Sequence, residues 1–207
     1  MGSMKVVIID YKMGNLRSVQ NAFSVLDCEA QIAKTPELLN KADKIVLPGV
    51  GAFGDGMANL QMYGWLEALE SEVKQKGKPF LGLCVGMQVL ASTGTEHGLT
   101  RGLKWIPGTV EKLESDEPTV RVPHIGWNDV RVTKKDGMYA GIGESPSFYF
   151  VHSYVLKPDD MSVVNGFCEH GAEFVASIEK DNIWATQYHP EKSQKSGLQV
   201  LRNFLRL

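Results

Sequence analysis

Lys78-Pro79-Phe80-Leu81-Gly82-Leu83-Cys84-Val85-Gly86-Met87-Gln88-Val89-Leu90-Ala91 is the stretch on which the fold turns. Residues 78–83 are an apolar run with little alternation, as in a strand buried on both faces of a parallel sheet. The run stops at a cysteine held between two glycines, and residues 87–91 are strong helix formers that predict a helix opening there. Upstream, Lys5-Val6-Val7-Ile8-Ile9-Asp10 and Lys44-Ile45-Val46-Leu47 are two more buried strands. Each is followed by a helical pattern. Leu16, Val19, Ala22, Phe23 and Leu26 recur at helical spacing behind Asn15, a plausible N-cap. A second helical stretch spans about 56–76 and is interrupted near Tyr63-Gly64. Strand–helix repeated three times predicts an α/β fold, a doubly wound, mostly parallel sheet with flanking helices.

After about Gly94 the pattern becomes β-rich. Val110, Val120, Val122, Val130 and Val132 fall in short strand-like pieces, and 148–151, 174–178 and 183–188 continue them. A helix over 197–207 closes the chain. With no linker or repeat in view, residues 4–207 are expected to form one domain. Met1-Gly2-Ser3 are expected to be a tag remnant ahead of a start at Met4, not a signal peptide.

The 207 residues are 43% hydrophobic and 22% charged, enough apolar material for a sizeable core. A formal charge of −2 gives no electrostatic case for nucleic acid or an anionic membrane. No apolar run is long enough for a transmembrane helix. Three dispersed cysteines without CxxC spacing argue against disulfides or a thiolate zinc site and point to a reducing cytoplasm. His97, His124, His152 and His170 make no paired spacing, so no metal is expected. No cofactor is implied.

Cys84 is the exception among the cysteines. A Gly-x-nucleophile-x-Gly turn from strand to helix lifts the side chain clear of the sheet, and the helix start favours thiolate. Cys28 and Cys168 lack such turns and are expected to pack. A catalytic thiol needs a proton acceptor held in one tautomer. Tyr188-His189-Pro190-Glu191 follows a buried strand, and Pro190 favours an extended His189. Glu191, two residues on, is expected to reach the His189 ring. The reading is Cys84 as nucleophile, His189 as base and then acid, and Glu191 as orienter. Pro48-Gly49-Val50-Gly51 ends the second strand on the same edge and is expected to aim N–H groups at an oxyanion, alongside the amide of Val85.

Taken with Pro123-His124-Ile125-Gly126-Trp127-Asn128 and Phe150-Val151-His152-Ser153-Tyr154, these motifs resemble the class I (triad) glutamine amidotransferases over essentially the whole chain. Within that family the likeness is to the glutaminase subunits of histidine biosynthesis. The resemblance implies that glutamine is the substrate. It assigns Gly49, Gln88, Glu96 and the backbone around His152, Ser153 and Tyr154 to its binding. It implies as partner a (β/α)8-barrel cyclase subunit, forming a heterodimer that receives the ammonia, with Asn15, Arg17 and Lys192 facing it. Lys12, Val85 and Tyr188 stand where the family more often has Gly, Leu and Phe. Val50 at the oxyanion turn resists positive φ, which predicts weak activity in the isolated chain and activation by a loaded partner. Homologous subunits that supply amino-sugar synthesis, a non-catalytic regulatory subunit, and a stand-alone thiol hydrolase are the competing readings.

Overall fold

The computed structural model describes residues 4–115 and 120–207; the expectation for Met1-Gly2-Ser3 lies outside them. The chain runs β1 (Val6–Ile9), α1 (Leu16–Ser24), β2 (Ala30–Ala33), β3 (Lys44–Gly49), α2 (Phe53–Met62), α3 (Trp65–Leu69), β4 (Phe80–Cys84) and α4 (Val85–Gln88). Then follow β5 (Ala91–Gly94), β6 (Thr100–Arg101), β7 (Ile106–Lys112), β8 (His124–Val132), β9 (Ser147–His152) and β10 (Tyr154–Pro158). Last come β11 (Val164–Glu169), β12 (Glu173–Lys180), β13 (Ile183–Thr186) and α5 (Gln194–Leu205).

Among the described residues the main sheet has nine strands in the order β2-β1-β3-β4-β13-β12-β11-β8-β9. The first five are mutually parallel, the doubly wound half predicted from sequence. The remaining strands extend it antiparallel. A four-stranded sheet, β10-β7-β5-β6, lies apart from it. The unbroken apolar run of β1 has a direct cause. Val7 and Ile9 join a core with Phe53, Leu60, Trp65 and Leu156, whereas Val6 and Ile8 join Val19, Phe23, Val200 and Phe204 on the other face. Alternation disappears because both faces are covered.

Several local expectations are corrected. The helix predicted over 87–91 is α4, a single turn over Val85–Gln88, and Ala91 begins a strand instead. The N–H groups of Leu103 and Lys104 bond the carbonyls of Val89 and Ala91, and those of Trp105 and Ile106 bond Leu90, so these carbonyls are taken by a returning loop. Val120 and Val122 precede β8 and lie in no strand. The second helical stretch begins at Phe53, ahead of the predicted 56. It breaks at Gly64, which takes φ 74°, and then continues through α3 into a π-helical segment, Glu70–Gln75. Asn15 does cap α1, accepting from the Ser18 N–H at 3.2 Å.

Candidate active site

Strands β3, β4 and β13 end side by side. Gly49 pairs with Cys84, and Thr186 with Leu83, so the loops after all three strands open on one edge. Cys84 sits at the turn into α4 with φ 54° and ψ −108°, a conformation that L residues seldom adopt. The flanking glycines make this turn possible. A Cβ on Gly82 would run into the Gly86 backbone, and one on Gly86 would strike the Leu47 carbonyl. Side chains there would lift α4 off β3 and carry Cys84 with it.

His189 reaches Cys84 from the far side of the edge. Its backbone is extended (φ −99°, ψ 97°), as its position before proline predicts. The peptide is pinned: the His189 N–H bonds the Tyr149 carbonyl at 2.9 Å. The Ser193 hydroxyl donates to the His189 carbonyl at 2.6 Å and accepts from the Tyr149 N–H at 2.9 Å. Glu191 Oε1 lies 2.8 Å from His189 Nδ1, both side chains 3% exposed. The route differs from the one expected, since Pro190–Lys192 form a 3₁₀ turn and Glu191 folds back on the ring rather than projecting alongside it.

Electrostatics favour a charged ring. Burial alone would lower the His189 pKa, but the neighbouring Cys84 and the Glu191 carboxylate hydrogen-bonded to the ring push it up to about 10. Cys84 itself is buried, with Sγ 3.7 Å from the Gln187 amide nitrogen and 3.9 Å from the Val151 carbonyl. Beside it opens a cavity of about 610 Å³, lined among others by Val50, Gly51, Val85 and Gln88.

A model of the family described as "Glutamine amidotransferase class-I" matches residues 7–207. The chain belongs to this family. Among curated relatives it is 48% identical to imidazole glycerol phosphate synthase subunit HisH 1 of Campylobacter jejuni, covering 98% of this chain and 100% of the relative. It is 48% identical to the HisH subunit of Geobacter sulfurreducens, covering 97% of each. A solved structure of PurLQS from Thermotoga maritima superposes with a TM-score of 0.74 over 99% of both chains. At 20% identity that likeness shows the fold alone.

In this amidotransferase the cavity gathers most of the residues singled out from sequence. Glu96, His152, Ser153, Tyr154 and Lys192 join those named above. Gln88 is fixed from behind, its amide donating to the Tyr154 carbonyl at 2.9 Å and to Gln187 Oε1 at 3.1 Å. Glu96 Oε2 accepts from the Phe53 N–H at 2.9 Å, which ties it to the start of α2. Gly49 lies behind the wall, where a Cβ would meet the buried Tyr11 hydroxyl and Val85. At the turn after β3, where an oxyanion site is expected from the sequence, Gly51 takes the left-handed conformation, φ 112°, and Val50 does not. Asn15 and Arg17 are exposed on α1 and its cap, outside the cavity. Lys192 is exposed at its rim, with Nζ 5.7 Å from the centre of the Tyr149 ring.

Gln187 escaped the sequence reading. It is fully buried and touches both Cys84 and Gln88. The available signal was a polar amide at the end of the apolar run Ile183-Trp184-Ala185-Thr186, two residues before His189. Cys28 and Cys168 pack against the core around α1 and β11, as expected. Although they share no regular sequence spacing, His124, His152 and His170 converge. Among the described residues no group of His, Cys, Asp or Glu is arranged to hold a metal ion, and no helix is long and apolar enough to cross a membrane.

Proposed function

We propose that this chain is the glutaminase subunit of an imidazole glycerol phosphate synthase. It hydrolyses glutamine to glutamate and ammonia and passes the ammonia to a (β/α)8-barrel cyclase subunit in histidine biosynthesis. The observation that carries the chemistry is a buried His189 bonded to the Glu191 carboxylate beside Cys84, whose thiol lines a cavity of about 610 Å³. The near full-length identity to subunits of that name carries the pathway and disfavours the amino-sugar alternative.

In this mechanism Cys84 gives its proton to His189 and the thiolate attacks the side-chain amide carbon of glutamine. Negative charge on the amide oxygen is met by the Val85 N–H, free of an intrahelical partner at the start of α4, and by the 49–51 turn. His189 protonates the leaving nitrogen as the C–N bond breaks, leaving a glutamyl thioester and ammonia. A water then gives its proton to His189 and attacks the thioester, and glutamate leaves as the thiolate reforms. Glu191 keeps the Nδ1 proton in place throughout. Gln88, Glu96 and the 152–154 backbone hold the amino-acid end of the substrate.

Ammonia in bulk water is protonated and loses its nucleophilic lone pair, so it must leave under cover. The cavity mouth is bordered by exposed Val50 and Lys192, and Trp127 on β8 stands exposed with its ring 6.2 Å from Tyr149. We assign this edge, with Asn15 and Arg17, to the barrel subunit, and place the heterodimer in the cytoplasm. The test is ammonia release from glutamine by the chain alone, with a barrel cyclase, and with the cyclase carrying its substrate. Release that requires Cys84 and grows with the loaded partner is the expected result. No release in any arm, or labelling by a glutamine-mimicking electrophile at a cysteine other than Cys84, would overturn the reading.

A further inference from the structure

Three rings that are far apart in sequence, buried His124 and His152 and half-buried His170, form one array beside the cavity. His124 and His152 face each other across the β8–β9 pair, with His124 Nδ1 3.0 Å from His152 Nε2. The Asn128 side-chain nitrogen lies 3.2 Å from His124 Nε2, and His152 Nδ1 lies 3.1 Å from the Tyr154 carbonyl. Phe150 and His170 stack on His124 at 4.8 and 4.1 Å, and His170 Nε2 bonds the Arg121 carbonyl at 2.9 Å.

The directions of these bonds follow from the partners at the two ends. The Tyr154 carbonyl can only accept, so His152 carries its proton on Nδ1. In a neutral ring Nε2 is then bare, and His124 Nδ1 must donate to it. His124 Nε2 is bare in turn and accepts from Asn128. The second amide hydrogen of Asn128 goes to the Glu169 carbonyl at 2.8 Å, which sets the amide's orientation. Each ring nitrogen of His124 and His152 and both amide hydrogens of Asn128 thus have a partner. Burial, with the neighbouring histidines, pulls His124 down to about 4 and His152 down to about 3, so both rings are neutral in the working range, as the chain of donors requires.

The end of this chain is a working part. The Tyr154 carbonyl that accepts from His152 also accepts from Gln88, and Tyr154, Ser153 and Gln88 line the cavity. The other end lies on β8, whose Ile125 and Trp127 are exposed. We propose that His124 is a positioning residue for glutamine, fixing His152 and the 153–154 backbone through a single directed hydrogen-bond relay. His124 touches no substrate; it acts through His152. The relay also runs along β8, whose opposite face exposes Ile125 and Trp127, so that a partner seated on that face bears on glutamine affinity. The proposal rests on the glutaminase reading above.

The test uses the complex with a barrel cyclase and its ligand. His124→Phe keeps the stacking on Phe150 and His170 but leaves His152 Nε2 buried without a donor. His124→Asn places an amide N–H close to where Nδ1–H was. An unsatisfied buried acceptor corresponds to roughly a 5- to 100-fold change in an equilibrium. The expected result is a rise of that size in the KM for glutamine in the Phe variant, with kcat and the alkylation rate of Cys84 by iodoacetamide nearly unchanged. The Asn variant should recover most of the loss, and nitrogen-15 spectra of the parent should show His152 protonated on Nδ1. An unchanged KM, a fall in kcat alone, an Asn variant no better than Phe, or a proton on His152 Nε2 would overturn the relay. Failure of the parent complex to release ammonia would instead count against the glutaminase reading, and the tautomer would still decide the relay.

Discussion

Replacing Cys84 by glycine should give a more stable protein than replacing it by alanine, the reverse of the usual order. At an ordinary buried site glycine loses to alanine twice. It has more backbone freedom to give up, about 0.5–1 kcal/mol, and it forfeits a buried methyl, about 0.8 kcal/mol. Cys84 is not an ordinary site. Its φ of 54° falls within the left-handed range, but its ψ of −108° lies far from the left-handed helical well, so any residue with a Cβ is strained there. Strain of this kind is worth roughly 1–3 kcal/mol, and a conformation outside every L-residue well belongs in the upper part of that range. Relief of about 2–3 kcal/mol against a combined loss of about 1.3–1.8 leaves the glycine variant ahead by about 1 kcal/mol. For a chain of this size that is about 2–4 °C in Tm. Both variants lack the Cys84 thiol, so the comparison does not depend on activity and is read from paired thermal and urea unfolding curves. A glycine variant less stable than the alanine variant would refute the claim that the fold holds Cys84 under strain.

Glu191→Gln removes one of the two negative partners that raise His189, so the alkaline limb of glutamine hydrolysis should move to lower pH while kcat falls by about 10²-fold or more; a pH–rate profile with its alkaline limb in place would speak against the orienting role. Val50→Gly frees the oxyanion turn to adopt positive φ, and one recovered oxyanion donor corresponds to roughly 10²–10³ in turnover. Ammonia release by the isolated chain should therefore rise towards that of the loaded complex, and equal rates in isolated parent and loaded complex would discard the switch. Gly86→Ala should lower both stability, by about 1–3 kcal/mol, and turnover, because the obstacle is the Leu47 backbone carbonyl and not a movable side-chain end; unfolding curves matching the parent would contradict the close approach of α4 to β3. The two depressed histidines set an acid limb of stability. With folded values of about 4 and 3, below the ordinary 6.5, their neutral forms contribute fully above pH 6.5, and that contribution is lost as pH falls through the folded values. Each steepens the fall by up to about 1.4 kcal/mol per pH unit. Between pH 6 and 5, where the raised His189 is protonated in the folded state and largely so in the unfolded one, His124→Phe should remove about half of this pair's contribution. Equal slopes in parent and variant would show that His124 is not buried neutral.

The parts of the molecule legible in the sequence are those in which one short segment carries its own cause. The runs at β1, β3 and β4 are apolar without alternation because both faces are covered, and that requirement is written residue by residue. The turn at Cys84 is legible because its two glycines answer two backbone clashes within four residues of each other. His189 and Glu191 are legible because proline fixes the backbone of the residue before it. What stayed hidden depends on a distant partner. Val89-Leu90-Ala91 has good helix formers, yet the N–H groups of 103–106 claim its carbonyls. Local preference of a few tenths of a kcal/mol per residue cannot hold against several such bonds.

The same distinction separates the Cys84–His189–Glu191 group from the histidine array. Cys84, His189 and Glu191 come from two motifs whose strands β4 and β13 are neighbours in the parallel sheet, so knowing that both end on one edge suffices to bring them together. His124 and His152 meet only because β8 and β9 pair antiparallel with these residues opposite one another. The same register sets Trp127 opposite Tyr149 on the exposed part of the hairpin. A slip of one residue would send every side chain of β8 to the other face, moving Trp127 away from solvent and His124 away from His152 together. The exposed Trp127–Tyr149 pair and the His124–His152 contact therefore stand or fall with one strand register, and that register is the physical link on which the proposed relay depends.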